Sequence, residues 1–279
     1  MDVDGRARPL RSTGTVDRPG GGRPPPVSPD DLLRAGLLLL AGVGSGIVGY
    51  AAGLASLVSF PVLLALGVPP LTANVTNSVA LTGVTLGGVA SARPELAGQR
   101  RRMLTFGGLG VVGGAVGALL LLRLPPGVFE RVVPWLVAFG SVVLLLRPWL
   151  RRWHAGRLHE RHPVVLAVVG AVTVYCGYFG AAAGVLLLAT FGAVLPDRLA
   201  RLAALRTVVV GAANTTAAVI FAVTGTVDWS AVPPLVVGAV IGSTLGPPLV
   251  RRLPETPLRI GVAVAGLALA AVLYRDQLG

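Results

Sequence analysis

Eight apolar segments constrain this chain more than any other feature of its sequence. They run approximately over 32–66, 71–92, 104–123, 129–149, 163–195, 199–223, 231–250 and 256–274. Six of them have about 18–25 residues, the length that a helix needs to span a bilayer. The sequence therefore predicts an all-α polytopic membrane protein with about eight transmembrane segments.

The composition supports a membrane protein. Hydrophobic residues make up 53% of the chain and charged residues 13%, with a mean hydropathy of +0.76. A soluble domain has about 25% charged residues, so this chain cannot cover a water-facing surface. The net charge of +12 comes from 24 arginines without a lysine. Because these lie mainly in the tail and between apolar segments, we expect contact with a lipid bilayer and not with nucleic acid.

The first and fifth apolar segments are too long to cross once as a single helix. A 35-residue helix would measure about 52 Å, against about 30 Å for the hydrocarbon core. Each segment is therefore predicted to be two helical pieces joined by unwound backbone, or a helical hairpin. Glycines interrupt both segments, namely Gly42, Gly44, Gly46, Gly49 and Gly53 in the first and Gly177, Gly180 and Gly184 in the fifth.

The two long segments also reveal an internal repeat. A shift of 131 residues places 46–53 on 177–184, with glycines matched at both ends, and it places Phe60 on Phe191. The remaining matches are Ala73-x-x-Thr76 with Ala204-x-x-Thr207 at the same shift, and Gly113-x-x-x-Gly117 with Gly242-x-x-x-Gly246 at a shift of 129. The ordered set favours two homologous halves.

The chain thus divides into four parts. Residues 1–30 form a polar tail rich in Arg, Pro and Gly, which we expect to be disordered. Residues 31–149 and 163–279 are the two transmembrane repeats, and 150–162 is a basic connecting loop. If the long segments cross once, the repeats are parallel, and if they cross twice, they are inverted. The five tail arginines favour a cytoplasmic tail, and both repeat arrangements remain open.

Several kinds of chemistry find no support in the apolar segments. None of them holds an Asp, Glu or His at depth, which argues against a proton antiporter, a divalent-metal transporter and a membrane-embedded hydrolase. The three histidines, His154, His159 and His162, share the connecting loop, and their spacing matches no standard ligand pattern. We expect no enzymatic activity, no metal site and no cofactor.

Arg206 is the basic residue furthest inside an apolar segment. It follows the start of the sixth segment by seven residues, about 10 Å along a helix. An intramembrane arginine is costly and is by default a functional hypothesis, because its paired donors can hold an anion. Alternatively, it snorkels to the interface or pairs with Asp197.

Polar residues accompany Arg206 in both halves. Thr207 and Asn214 are seven residues apart and share one helix face, and the second apolar segment carries Asn74, Thr76 and Asn77. We expect these residues to contribute to a substrate pathway. The alternative is that they form interhelical hydrogen bonds, which add little stability.

The glycine breaks are the second candidate for a binding site. Unwound backbone inside a membrane is tolerated only where it is buried or lines a cavity. Half-helix N-termini offer N–H groups and a positive dipole to an anion. Gly49, Gly53, Gly180 and Gly184 are therefore expected to line a substrate site, unless they only allow close helix packing.

At these residues the chain resembles the TauE/SafE sulfite exporter family of sulfur-compound permeases. The resemblance covers 32–274 and rests on the glycine-rich first segment ending near Phe60-Pro61, the Ala73-x-x-Thr76 turn and the repeat of both. It also rests on Gly225-Thr226-Val227-Asp228-Trp229, the glycines of 238–246 and Arg251-Arg252-Leu253-Pro254. The resemblance implies a multi-pass permease of the cytoplasmic membrane for sulfite, sulfonates or related small anions.

An anionic substrate agrees with the positive charge of Arg206 and with the absence of Asp and Glu deep in the apolar segments. An anion that leaves a cell with 100 mV, inside negative, gains about 2.3 kcal/mol per charge. Export therefore needs no proton-relay carboxylate, and we expect export of a small anion by alternating access between the halves. The alternatives are a non-transporting membrane scaffold or assembly factor of the same fold and a metal-cation permease. A homo-oligomer stays open.

Overall fold

The computed structural model describes residues 28–125, 127–150, 160, 162–224, 226–250, 255–275 and 277. Within these residues the chain forms helices and no strand, as predicted for an all-α membrane protein. The helices are α1 (Pro29–Ala52), α2 (Ser56–Ala65), α3 (Pro70–Ala80), α4 (Thr82–Ser91), α5 (Arg93–Leu96), α6 (Arg100–Arg123), α7 (Val128–Leu150), α8 (Pro163–Tyr178), α9 (Ala183–Val194), α10 (Leu199–Thr224), α11 (Val232–Val250) and α12 (Glu255–Arg275).

Parts of the predicted organisation lie outside the described residues. These are most of the tail, most of the connecting loop with His154 and His159, Gly225, and the motif 251–254. The division into repeats at 31–149 and 163–279 stays a prediction. His162 is described: its Nδ1 accepts a hydrogen bond from the backbone N–H of Val164 at the start of α8.

A reciprocal pair of hydrogen bonds caps the start of α1. The Ser28 hydroxyl accepts a hydrogen bond from the Asp31 N–H at 3.1 Å, and the Asp31 carboxylate accepts one from the Ser28 N–H at 3.1 Å. This reciprocal pair satisfies two backbone donors that a helix start leaves open. The first apolar segment therefore begins at Pro29, with Ser28 as its cap.

Both long segments break near the predicted glycines. The helix α1 ends before Gly53, and α2 then returns along α1: a methyl group added at Gly49 would meet Ala55, and one at Gly44 would meet Val58. Earlier residues of α1 thus contact later residues of the returning chain, so α1 and α2 run in opposite directions. The two helices form a hairpin, one of the two shapes expected for this segment.

The second break lies between α8 and α9. The backbone of Phe179–Ala182 leaves the helix, and α9 starts at Ala183. The ring of Phe191, late in α9, lies 5.1 Å from that of Phe106, early in α6. Since α6 and α8 run in the same direction, as shown next, α9 returns toward the end at which α8 begins.

Contacts between small residues fix the directions of the long helices. Gly42 of α1 packs on Gly238 of α11, and one turn later Gly46 packs on Gly242, so α1 and α11 are parallel. On the other side, the Thr173 hydroxyl of α8 donates to the Leu109 carbonyl of α6 at 3.1 Å. Further along, Gly177 of α8 packs on α6 at Gly114 and Gly117, so α8 and α6 are parallel too.

The two parallel pairs run in opposite directions. The helices α4 and α10 are antiparallel, because Gly88 meets Thr207 whereas Thr85 meets Gly211. The helix α4 is parallel to α11, because Gly83 and then Gly87 pack along Val236–Ser243. In the same way, α6 is parallel to α10, because Gly110 and then Gly114 pack along Val209–Ala213. Thus α1, α4 and α11 point one way, and α6, α8 and α10 point the other way.

Ion pairs tie the helix ends on both sides of the bundle. At the end where α1 begins, Arg34 pairs with Asp228 at 2.8 Å. At the opposite end, Arg102 of α6 bridges Glu160 at 2.8 Å and Asp197 at 2.9 Å, and Arg201 also pairs with Asp197. These contacts join loops to the parallel helix pairs, so the charges lie where the apolar segments end.

The outer surface of the bundle is apolar. Four helices of the described residues are long and apolar enough to cross a membrane, over Pro29–Tyr50, Arg100–Arg123, Val128–Leu146 and Leu199–Thr224, and five further apolar helices are shorter. Large apolar side chains on the bundle are exposed, among them Leu40, Leu86, Leu104, Val112, Val219 and Val223. The bundle is thus a multi-pass membrane protein; the count of eight segments stays a prediction.

Candidate functional site

A cavity of about 50 Å³ lies where the two helix hairpins meet. One water molecule needs roughly 10–15 Å³, so the cavity has room for a small ion. Its lining includes Arg206, Thr207 and Asn214 of α10 together with all four candidate glycines, Gly49, Gly53, Gly180 and Gly184. Seven of the ten predicted site residues therefore share one cavity.

Two glycines bring the hairpins into contact at this cavity. A methyl group added at Gly53 would lie 2.8 Å from Cα of Gly184, and one added at Gly184 would lie 2.7 Å from Cα of Gly53. Gly53 also has φ of 75°, a left-handed conformation that side chains rarely adopt. Glycine is thus required here both for the turn and for the approach of the two chains.

The starts of two short helices face the cavity. Ala55 and Ser56 begin α2, Gly184 is the second residue of α9, and all three are lining residues. The first N–H groups of a helix have no partner within their own helix and carry a partial positive charge. The cavity therefore has two helix N-termini in its wall, the arrangement that favours an anion.

Arg206 adds a full positive charge to this wall. The residue is 3% exposed, and its guanidinium donates to the Tyr50 carbonyl in the last turn of α1 at 3.0 Å. An arginine nitrogen also lies 2.9 Å from the place where a Gly53 methyl group would be. Arg206 therefore neither reaches outward nor pairs with Asp197, whose carboxylate binds Arg102 and Arg201.

Asn214 and Thr207 complete the contribution of α10. Asn214 is 8% exposed, and its Oδ1 accepts a weak hydrogen bond from the Cys176 thiol at 3.6 Å. The Thr207 hydroxyl donates to the Ala203 carbonyl of its own helix at 3.0 Å, so its oxygen lone pairs and methyl group are what it can present. No Asp or Glu occurs among the lining residues that the structure describes.

The other three predicted residues lie away from the cavity lining. Asn74 donates to the Tyr178 carbonyl at 3.0 Å, at the end of α8. Thr76 accepts a hydrogen bond from the Asp228 N–H at 2.9 Å, and Asn77 accepts one from the Ser59 hydroxyl. These bonds join α3 to the second half and to α2, which is the structural alternative that the sequence left open. Their contribution to a substrate pathway stays a prediction.

The sequence analysis missed two hydroxyl residues of the lining, Ser56 and Thr85. Ser56 is the first residue of α2, and Thr85 lies in the middle of α4. The only signal in the sequence was a hydroxyl residue next to a glycine break or inside an apolar segment, which many interhelical contacts share. Neither residue carries a charge that would have marked it.

The fold and the site together define a membrane transporter: a multi-pass helical bundle with a small, positively lined cavity between two broken segments. Comparison with known sequences gives the family. The family model described as sulfite exporter TauE/SafE matches residues 38–273, and the chain belongs to this family. The resemblance predicted from the sequence is thereby confirmed.

Curated relatives cover nearly the whole chain. It is 27% identical over 252 residues to the probable membrane transporter protein YfcA of Escherichia coli (strain K12), covering 88% of this chain and 92% of the relative. It is 24% identical over 253 residues to a probable membrane transporter protein of Haemophilus influenzae, covering 88% and 96%. No solved structure matches the chain.

Proposed function

We propose that this permease exports a small oxyanion, such as sulfite or an organosulfonate, across the cytoplasmic membrane. The observation that carries the proposal is the buried guanidinium of Arg206 beside two helix N-termini in one small cavity. Each of these groups favours negative charge. A described lining without a carboxylate agrees with an anionic substrate.

The arrangement of the helices supports alternating access. We infer two inverted repeats from a pair of corresponding contacts. The shift of 131 residues relates Gly42 to Thr173, and the shift of 129 relates Leu109 to Gly238. The contact of Gly42 with Gly238 thus corresponds to that of Thr173 with Leu109. The parallel pairs that these contacts define run in opposite directions. Inverted repeats place a substrate site at their interface and allow each half to open toward one side. The contact of Gly53 with Gly184 at the cavity supports a substrate site at that interface.

The energetics favour export as the direction of transport. Each negative charge that leaves a cell with 100 mV, inside negative, gains about 2.3 kcal/mol. The proposed site thus needs no titrating group to drive export, and the membrane potential supplies the free energy.

Transport by purified protein in liposomes tests this function. Vesicles loaded with radiolabelled sulfite are given an outward gradient with an imposed potential, negative on the loaded side, and efflux is measured. We expect efflux that rises with the potential, and we expect Arg206→Ala to reduce it at least 100-fold. The matched control is Arg198→Ala, which removes an exposed arginine just before the same helix.

Two outcomes would contradict the proposal. If neither sulfite nor any sulfonate leaves the wild-type vesicles faster than protein-free ones, the protein is better explained as a non-transporting scaffold. If Arg206→Ala and Arg198→Ala transport equally well, the cavity is not the site. Size-exclusion profiles of the variants separate a loss of transport from a loss of folding.

A further inference from the structure

Two of the residues that line the cavity, Ser56 and Thr85, have hydroxyl groups that make no hydrogen bond among the described residues. We propose that Ser56 and Thr85 are substrate-binding residues that make the site selective for oxyanions with several oxygen atoms over single-atom anions such as chloride. This inference rests on the proposed function and adds the residues that would set its specificity.

Ser56 is placed where an anion would bind. It is the first residue of α2, it is 5% exposed, and it lines the cavity with Ala55. Its neighbour Ser59, one turn on, donates instead to the Ala55 carbonyl and to Asn77. The hydroxyl of Ser56 makes no such bond among the described residues, so its proton is available to a ligand beside the helix start.

Thr85 is a second hydroxyl residue of the lining and comes from a different helix. Its side chain packs against Gly211 of α10, with both Cγ2 and Oγ1 near that glycine. The other hydroxyl residues of α4 are bonded within the chain: Thr82 donates to the Val79 carbonyl and Ser91 to the Gly87 carbonyl. Thr85 differs from both in having no described partner for its hydroxyl.

The chemistry of the donors suits a polyatomic anion. Arg206, Ser56 and Thr85 come from α10, α2 and α4, so their donors approach the cavity from three helices. An anion with three oxygens can accept these donors at separate atoms, whereas a single-atom ion must accept all of them at one atom. A hydroxyl bond to a charged group discriminates strongly, because its loss leaves the anion partly unpaired.

The two hydroxyls come from the first half alone. At the shift of 131 residues, Ser56 corresponds to Leu187 and Thr85 to Thr216, whose hydroxyl donates to the Ala212 carbonyl. Neither Leu187 nor Thr216 lines the cavity. The first half therefore supplies hydroxyl donors to the oxygen atoms of the anion, and the second half supplies the positive charge of Arg206.

Binding to purified protein in detergent tests the inference, with sodium sulfite kept under anaerobic conditions and sodium chloride as the two probes. We expect Ser56→Ala and Thr85→Val each to raise the sulfite Kd roughly tenfold or more and the chloride Kd less than about threefold. Thr85→Ser, which restores the hydroxyl, should recover most of the sulfite affinity. Thr82→Val and Ser78→Ala are the matched controls, because their hydroxyls bind carbonyls away from the cavity.

The outcomes separate this inference from the proposed function. If the wild type binds sulfite and both variants bind it equally well, the inference is wrong and the proposed function stands. An equal loss of sulfite and chloride affinity would also overturn it, because selectivity would be unchanged. If the wild type binds neither sulfite nor a sulfonate, both fail. Should Ser56→Ala not remain monodisperse, Ser56→Cys takes its place, since a thiol is a weak donor.

Discussion

The helix break of the first half and that of the second half meet at one cavity but differ in what they bring to it. The first break turns at Gly53 and offers the Ser56 hydroxyl, whereas the second passes through Gly180 with φ of 81° and Ala182 with φ of 62°. Arg206 belongs to the second half, and the residue at the corresponding position of the first half is Val75. The halves thus share backbone contacts while their polar side chains differ.

This difference separates the requirements of folding from those of binding. Glycine contacts recur in both halves because helices can approach closely only where side chains are absent. A buried cation is costly, and the proposed site has one, Arg206. Substitutions in the shared contacts should therefore act alike in both halves, and substitutions of polar residues should not.

The largest expected effect concerns the shared contacts. A methyl group at Gly46 would lie 2.5 Å from the Ser243 nitrogen, and one at Gly177 would lie 2.7 Å from Cα of Gly114. We expect Gly46→Leu and Gly177→Leu each to cost more than about 4 kcal/mol and to abolish monodisperse protein. Size exclusion after detergent extraction measures this.

Controls for that comparison lie on the same helices. A methyl group added at Gly36 of α1 or at Gly170 of α8 would meet no other atom within 4 Å, so Gly36→Leu and Gly170→Leu should be tolerated. If one of the two contact variants folds as well as its control, the two halves do not share the framework that we describe.

The next effect distinguishes the two breaks. Gly53→Ala combines a positive φ with close contact to Gly184, whereas Gly180→Ala has a positive φ and 3.0 Å to the Cys176 carbonyl oxygen. We expect a loss of about 2–3 kcal/mol for Gly53→Ala and about 1–2 kcal/mol for Gly180→Ala. Thermal unfolding in detergent measures both, with Gly192→Ala as the open-space control on α9. The reverse order would show that the first break is not the tighter one.

A smaller effect is expected when Arg206 keeps its charge. Lysine has a compact ammonium group and lacks the planar fork, so Arg206→Lys should retain sulfite transport reduced about tenfold. Val75→Ala, at the corresponding buried position of the first half, adds no volume and removes no charge, so it should retain most of the wild-type transport. Initial rates of efflux from liposomes measure both, and equal losses would remove the asymmetry between the halves.

The smallest effect concerns the ion pairs at the two ends. Burial opposes ionisation of Asp197, but the Arg198 N–H and the guanidinium groups of Arg201 and Arg102 hold its pKa below the ordinary value. At the other end, burial acts in the same way on Asp228, and Ser230 and Arg34 hold its pKa below the ordinary value. A carboxylate with a lowered pKa stabilises the fold above its unfolded pKa, and this stability is lost as the pH falls through the folded pKa.

We therefore expect thermal stability to fall below about pH 4, with Asp197→Asn and Asp228→Asn each removing about 0.5–1 kcal/mol of it at neutral pH. Each variant should also lose less thermal stability than the wild type as the pH is lowered. Unfolding curves between neutral pH and about pH 3 measure this, and a variant that follows the wild-type curve would show that its ion pair adds nothing.

Much of the fold could be predicted from the sequence, because apolar length and glycine position report directly on membrane helices and their breaks. The interruptions near Gly53 and Gly180 are examples. The relative direction of α4 and α10 could not be predicted, because the arginines of the loops support either topology, and the contact of Gly88 with Thr207 shows that the two helices are antiparallel.

The residues of the candidate site could also be predicted only in part. Arg206 is conspicuous in the sequence because a charge in an apolar segment is costly. Ser56 and Thr85 are not, because a hydroxyl in a helix usually bonds to its own backbone, as Thr207 does. Asn74 and Asn77 carry the same signal as Asn214, yet their hydrogen bonds join helices away from the cavity.

The most direct test of the anion site is the position of a bound anion. Selenite resembles sulfite in shape and charge and scatters anomalously, so a crystal of the protein grown with selenite can locate it. We predict an anomalous peak between Arg206, Ser56 and the contact of Gly53 with Gly184, and its disappearance when excess sulfite is added. A peak elsewhere that sulfite displaces, with this cavity empty, would contradict the account.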